Sequence, residues 1–69
     1  MSTHTSTWSV TGMTCEHCCA SVSEELVALR GVRGVTVALD TGTVTVTSKR
    51  PLDRAEVQRA VEEAGYALA

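Results

Sequence analysis

The sequence predicts an α+β fold with four strands and two helices in the order βαββαβ. Three segments alternate larger apolar residues with small ones, which is typical of strands with one buried face, and a short fourth strand is predicted at residues 66–69. Two other segments repeat apolar residues at helical spacing. The chain has 69 residues, 43% hydrophobic and 20% charged. This length predicts one small two-layer domain over residues 1–69 and excludes most large enzyme folds.

The first strand and the first helix flank a short loop. Residues 5–10 alternate polar and apolar side chains and predict a strand, whereas residues 11–14 break the pattern and predict a loop. From Glu16 onward a helix is predicted, ending at Arg30-Gly31 because glycine commonly follows the last helical turn. Its apolar stripe consists of Cys18, Val22, Leu26 and Leu29, with Cys19 and Val27 beside it.

A β-hairpin is predicted in the middle of the chain. Residues 35–39 and residues 43–47 both alternate apolar with small side chains. Residues 40–42, Asp-Thr-Gly, have the composition of a turn. Two alternating runs around such a turn indicate two antiparallel neighbouring strands.

A second helix and a short last strand complete the order. Asp53 with Glu56 three positions later resembles a capping box and predicts the helix start after Pro51. Gly65 ends the helix, and residues 66–69 predict the last strand. The order is that of the split βαβ, or ferredoxin-like, arrangement. We therefore expect two helices on one face of a four-stranded antiparallel sheet.

Charge and hydropathy exclude several classes of function. The net charge is −2, and the six basic residues are scattered along the chain, which argues against nucleic-acid binding. No apolar run approaches the roughly 18 residues of a membrane-spanning helix. The N-terminal residues lack a basic segment followed by an apolar one, so no export signal is predicted and we expect a cytoplasmic protein.

The three cysteines all lie between Cys15 and Cys19. An odd number of clustered cysteines does not suit a disulfide scaffold, which spreads its cysteines along the chain to close loops. In a cytosolic chain, clustered cysteines bind metal or carry out redox chemistry more often than they form structural disulfides. A thioredoxin-type redox centre shares the two-residue spacing of Cys15 and Cys18, but the element order and the short chain argue against it.

Cys15 and Cys18 are predicted to lie where the loop becomes the helix. The unpaired N–H groups and the positive dipole end of a helix stabilise thiolates there. Zn(II) prefers four ligands, and the chain has no second cysteine pair. Two soft thiolates without a distant ligand favour Cu(I), or chemically Hg(II).

Residues 12–22, Gly-Met-Thr-Cys-Glu-His-Cys-Cys-Ala-Ser-Val, resemble the signature of the heavy-metal-associated domain family. This family includes bacterial copper chaperones and amino-terminal modules of copper-transporting P-type ATPases. The resemblance implies that Cys15 and Cys18 are the Cu(I) ligands. It also implies that Met13 packs on the core beneath the metal loop and that Tyr66 lies near the metal, as is usual in bacterial chaperones.

Two neighbouring side chains keep open roles. Cys19 is either a partly buried small residue or a third sulfur for a copper-bridged dimer or a small Cu(I) cluster. His17 between the ligands is predicted to face solvent, and its positive form could lower the pKa of a neighbouring cysteine. Direct ligation by His17 is the less favoured alternative.

The expected function is that of a Cu(I) chaperone rather than an enzyme. It would pass the ion by thiolate exchange to a copper-transporting P-type ATPase. A copper-responsive regulator is a second candidate partner. A homodimer bridged by copper is also expected, because the same ligand exchange can occur between two copies. The alternatives are an excised metal-binding domain of such an ATPase and a mercuric-ion carrier. Mercuric-ion carriers are usually periplasmic, so the missing export signal disfavours the last.

Overall fold

The computed structural model describes residues 3–14 and 16–69. Its elements are, in chain order, β1 His4–Thr11, α1 Glu16–Val27, β2 Val32–Ala38, β3 Thr43–Ser48, α2 Arg54–Glu63 and β4 Ala67–Leu68. The predicted βαββαβ order is confirmed. Cys15, one of the two predicted ligands, lies outside the described residues.

The four strands form one antiparallel sheet in the order β2-β3-β1-β4. The core-facing positions of β1 and β3 are occupied by Val10, Val44 and Val46, which are buried together with α1 and α2 residues. The β1 residues that alternate with them are exposed Thr and Ser side chains. This alternation places both helices on one face of the sheet, so the predicted ferredoxin-like fold is confirmed.

The core is made of small aliphatic side chains. Its fully buried members are Val22, Leu26, Val44, Val46, Val57 and Val61, and the chain contains no Phe. Trp8 and Tyr66, the two aromatic residues, are half-buried and pack against this cluster from its edges. A Val-rich core suits a thin two-layer domain, because β-branched side chains pack well on a pleated sheet.

The predicted end of α1 is wrong by three residues, since the helix ends at Val27 and not at Arg30. The backbone N–H of Leu29 donates to the carbonyl of Leu26 at 3.0 Å, and the chain leaves the helix through tight turns. Leu29 still packs against the core from this turn. Val27, predicted beside the apolar stripe, is 52% exposed because it points away from the sheet.

The predicted start of β2 is also too late. The strand begins at Val32, and a register shift between Val32 and Gly34 interrupts its alternation. A bulge adds one unpaired residue and so hides the period of two from a sequence pattern. Leu39, predicted as the last strand residue, lies in the turn that follows β2.

The elements define two ends of the molecule. One end carries the loop between β1 and α1 that contains the predicted ligands, and we call it the site end. There the N–H of Val10 donates to the carbonyl of Gly42 at 2.8 Å, so the β2–β3 turn lies beside the last residues of β1. The start of α1 and the end of α2 lie at the same end, because the helices run opposite to the strands that precede them. At the far end, the N–H of Lys49 donates to the carbonyl of Gly31 at 2.8 Å.

Neither helix is long or apolar enough to cross a membrane among the residues that the structure describes.

Candidate metal site

The loop between β1 and α1 begins at Gly12, whose φ is +90°. Residues other than glycine rarely adopt this left-handed region. A Cβ atom on Gly12 would lie only 3.3 Å from Cδ1 of Tyr66, so a side chain would also press on that ring. Glycine here lets the chain leave the sheet and turn toward α1 close to the Tyr66 ring.

Tyr66 is held against this loop by the end of α2. The N–H of Tyr66 donates to the backbone carbonyl of Val61 at 3.0 Å, and the N–H of Gly65 donates to the backbone carbonyl of Glu62 at 2.9 Å. With Gly65 at φ +93°, these two bonds form a Schellman motif. The motif ends α2 and fixes the direction in which the chain continues to β4. The predicted neighbour of the metal loop thus lies beside Gly12.

The next two loop residues differ in burial. Met13 is half-buried and packs against the hydrophobic core, so it joins the exposed loop to the interior. Thr14 is exposed, and its Oγ1 lies 4.0 Å from Sγ of Cys18, within the range of a hydrogen bond to sulfur. The loop is therefore fixed to the core by Met13, while Thr14 contacts a predicted ligand.

Cys18 lies in the first turn of α1, as predicted. It is the third residue of the helix and is half-buried. The first N–H groups of a helix have no intrahelical acceptors, and the dipole places partial positive charge near this sulfur. Both effects stabilise a thiolate and the binding of a soft cation. Cys15 lies outside the described residues, so the Cys15–Cys18 geometry stays a prediction.

The two accessory candidates lie on either side of Cys18. His17 is exposed, and its carbonyl accepts a hydrogen bond from the Ser21 hydroxyl at 3.2 Å. Cys19 is a half-buried free thiol. Within residues 3–14 and 16–69, no three His, Cys, Asp or Glu side chains are grouped so as to hold a metal ion. The described part of the chain therefore does not bring Cys18, Cys19 and His17 together as one ligand set.

Comparison with known proteins assigns this arrangement to a family. The profile of the heavy-metal-associated domain matches residues 7–67. The chain belongs to the heavy-metal-associated domain family. The match begins in β1 and ends in β4, so it includes the loop, both helices and part or all of every strand.

Relatives of this heavy-metal-associated domain include carriers and transporter modules. The chain is 36% identical over 59 residues to the COP-associated protein of Helicobacter felis, covering 86% of this chain and 89% of that protein. The CopZ metallochaperone superposes with a TM-score of 0.88 and 28% identity, covering 96% and 100% of the two chains. A copper-binding domain from HMA7, a P-type ATPase, superposes with a TM-score of 0.84 and 29% identity, covering 94% of this chain and 89% of that domain.

Two contacts at this site were not predicted from the sequence. The contact of Thr14 with Cys18 had a local signal, because a Thr placed just before a helix often caps it. The contact between Gly12 and Tyr66 joins residues that are far apart in the sequence. The family resemblance predicted Tyr66 near the metal loop, but no local pattern paired it with Gly12.

Proposed function

We propose that this chain is a Cu(I) carrier that holds one ion between Cys15 and Cys18. The observation that carries the proposal is the position of the half-buried Cys18 in the first turn of α1, three residues after Cys15 in the sequence. This spacing lets two sulfurs converge on one ion where the helix dipole favours thiolates. The likeness to the CopZ metallochaperone and the COP-associated protein supports copper as the cargo.

Two thiolates suit Cu(I) better than Zn(II). Cu(I) is a soft d¹⁰ ion that accepts two sulfur ligands, whereas structural Zn(II) is almost always four-coordinate. The described residues offer no group of three or more donor side chains that would complete a zinc tetrahedron. In this proposal Met13 and Tyr66 support the loop, and Cys19 and His17 are accessory residues that do not bind a singly loaded ion.

Transfer follows from the low coordination number. A thiolate of the partner bonds to the copper ion, giving a three-coordinate bridge, and the bond to Cys15 or Cys18 then breaks. A second partner thiolate displaces the remaining cysteine, so the copper ion stays Cu(I) and no electron is exchanged. The partner we propose is the metal-binding domain of a copper-transporting P-type ATPase. The likeness to the copper-binding domain of HMA7, a P-type ATPase, supports this choice of partner.

The remaining parts of the proposal concern context. We propose that residues 1–69 form one domain that acts in the cytoplasm as a carrier and not as an enzyme. The likeness to the HMA7 domain also favours a second candidate, a metal-binding module of a copper P-type ATPase. The site chemistry is the same in both, and the flanking gene sequence distinguishes them.

An anaerobic titration with Cu(I) against a coloured Cu(I) chelator tests the proposal. The wild-type chain is expected to withdraw one equivalent of copper from the chelator. The Cys15→Ala/Cys18→Ala variant is expected to withdraw none, because both proposed ligands are missing. Cys19→Ala is the matched control, since it removes a neighbouring thiol and is expected to retain one equivalent.

Retention of tight one-to-one binding by the double variant would show that other residues hold the ion. A fall in binding stoichiometry in Cys19→Ala would show that the third sulfur participates. Each variant is compared by circular dichroism first, so that loss of copper is not confused with loss of fold.

A further inference from the structure

The fold separates charges that are scattered in the sequence. Four exposed carboxylates lie at the site end, in the first turn of α1, in the β2–β3 turn and in the last turn of α2: Glu16, Asp40, Glu62 and Glu63. In the part of the chain that the structure describes, no Lys or Arg lies at that end. Four of the six basic residues lie at the far end instead: Arg30, Arg33, Lys49 and Arg50. Arg54 begins α2 and its Nη2 donates to the Ala69 carbonyl just after β4, and Arg59 lies in the middle of α2, one turn before Glu62 and Glu63.

The contacts at each end support this placement. Asp40 belongs to the turn whose Gly42 carbonyl accepts from the N–H of Val10. Glu62 and Glu63 lie within the motif at the end of α2 that places Tyr66 beside Gly12. At the other end, Nε of Arg50 donates to the Arg30 carbonyl at 2.9 Å. Strands of six or more residues separate the two ends by about 20 Å.

This separation determines which charges a partner meets. Charges more than about 8–10 Å apart are largely screened at physiological salt, so the basic far end contributes little to contacts at the site end. A protein that accepts the copper ion must bring its sulfur atoms to the site end and therefore faces the four carboxylates. A second copy of this chain in the same position would bring four carboxylates of its own.

We propose that the site end docks onto a protein surface that carries Lys and Arg around its own cysteine pair. The same carboxylates oppose the pairing of two copies of this chain through a shared copper ion. This inference rests on the proposed carrier function and specifies the partner of that site. Charges at the rim of an interface change the association rate and its salt dependence more than the final affinity, so we expect a kinetic effect.

A charge-reversed copy of this chain serves as the basic probe, since it carries the same cysteines at the same positions. Glu62→Lys/Glu63→Lys places two positive charges at the site end. Wild type uniformly labelled with 15N and carrying one copper isotope is mixed with an unlabelled copy, either wild type or variant, carrying the other isotope. Native mass spectrometry then follows isotope exchange between the labelled and unlabelled copies. At an ionic strength of about 10 mM, exchange with the variant is expected to be about 5–10-fold faster than between two wild-type copies.

The matched control reverses two charges elsewhere in the molecule. Glu24→Lys/Glu25→Lys changes the net charge by the same amount but lies in the last turn of α1, about 12 Å along the helix from Glu16. This variant is expected to exchange at nearly the wild-type rate. The advantage of Glu62→Lys/Glu63→Lys is expected to fall below about twofold at 0.5 M salt, because the charges are then screened.

Equal rates for the two reversed variants, or no acceleration by Glu62→Lys/Glu63→Lys, would overturn the inference. The neutral Glu62→Gln/Glu63→Gln variant is expected to exchange at a rate between those of wild type and the charge-reversed variant. It replaces Glu62→Lys/Glu63→Lys in the experiment if the charge-reversed variant fails to fold. Each copy is first tested for binding one equivalent of Cu(I). A wild-type chain that binds none overturns the carrier function, whereas normal loading with equal exchange rates overturns only the docking inference.

Discussion

At the residue scale, Gly12 shows most clearly how backbone geometry shapes the site. Its φ of +90° strains any other residue, and a Cβ here would press on the Tyr66 ring. Gly34 in β2 is different, because its φ is not positive and a Cβ there would meet no atom within 4 Å. The two glycines therefore form a natural pair for substitution by alanine.

Gly12→Ala is expected to lower the free energy of unfolding by about 1–3 kcal/mol, from the strained φ and the crowded ring. Gly34→Ala is expected to change it by less than about 1 kcal/mol in either direction. Urea denaturation of both variants measures the difference. Equal costs for the two substitutions would contradict the role assigned to Gly12.

The pair of Arg50 and Glu56 is the main charged contact at the far end. Nη1 and Nη2 of Arg50 donate to the two carboxylate oxygens of Glu56 at 3.0 and 2.9 Å. The Arg50 guanidinium lowers the pKa of Glu56, and a hydrogen bond from the Asp53 N–H lowers it further. This pair joins α2 to the turn that follows α1, because Arg50 also contacts Arg30.

The lowered pKa of Glu56 sets the sign of a pH effect. A carboxyl group with a lowered pKa in the folded state stabilises the protein above its ordinary pKa of 4.5, and this contribution disappears as pH falls through the lowered value. Glu56→Gln keeps a capping side chain but removes the charge. Its urea midpoint is expected to be below that of wild type at pH 7 and to converge with it toward pH 3.

An exposed carboxylate provides the comparison for this titration. Glu24→Gln removes the same charge from a residue on the outside of α1. We expect no comparable convergence for Glu24→Gln. A constant difference between Glu56→Gln and wild type from pH 7 to pH 3 would contradict the contribution of the ion pair.

At the scale of the elements, α1 connects the site to the core. Its N-terminal turn carries Cys18, and its later turns bury Val22 and Leu26 completely. Val27 belongs to the same helix but is 52% exposed. The helix is therefore fixed by one apolar face, and this face holds the Cys18 turn in place.

Val22→Ala and Val27→Ala remove the same atoms from opposite sides of α1. Val22→Ala is expected to lower the free energy of unfolding by about 2–3 kcal/mol, because apolar surface is no longer buried and a cavity is left behind. Val27→Ala is expected to be neutral or slightly stabilising, because alanine has the higher helix propensity. Thermal or urea denaturation of the two variants measures both values. A large cost at Val27 would contradict its exposed position.

The elements were predictable where their patterns are local and regular. Strands β1 and β3 and helix α2 follow simple alternation, helical spacing and capping residues. The end of α1 was misplaced because Leu29 keeps the helical spacing of the apolar residues after the helix has ended, packing on the core from a turn. The start of β2 was missed because the bulge near Gly34 breaks the alternation.

At the scale of the whole molecule, the fold brings together what the sequence scatters. The predicted ligands are near neighbours, so their motif was visible without a structure. The contact between Gly12 and Tyr66, and the collection of basic residues at the far end, depend on strand order and helix direction. These features are tertiary, and no local pattern predicts them.

The whole molecule is a small scaffold that presents one end to its partners. The opposite end carries four of the six basic residues and the pair of Arg50 and Glu56, and the site end carries four exposed carboxylates. A carrier needs to hold one ion, expose it and release it to another pair of sulfurs. Two thiolates at a helix start meet these needs with a thin core behind them.

Copper K-edge X-ray absorption of the anaerobically Cu(I)-loaded wild-type chain tests the central claim most directly. The account predicts a low-coordinate Cu(I) ion with two sulfur ligands, because Cys15 and Cys18 are the only proposed donors. A spectrum that requires a nitrogen ligand from His17, or a third sulfur from Cys19, would contradict it.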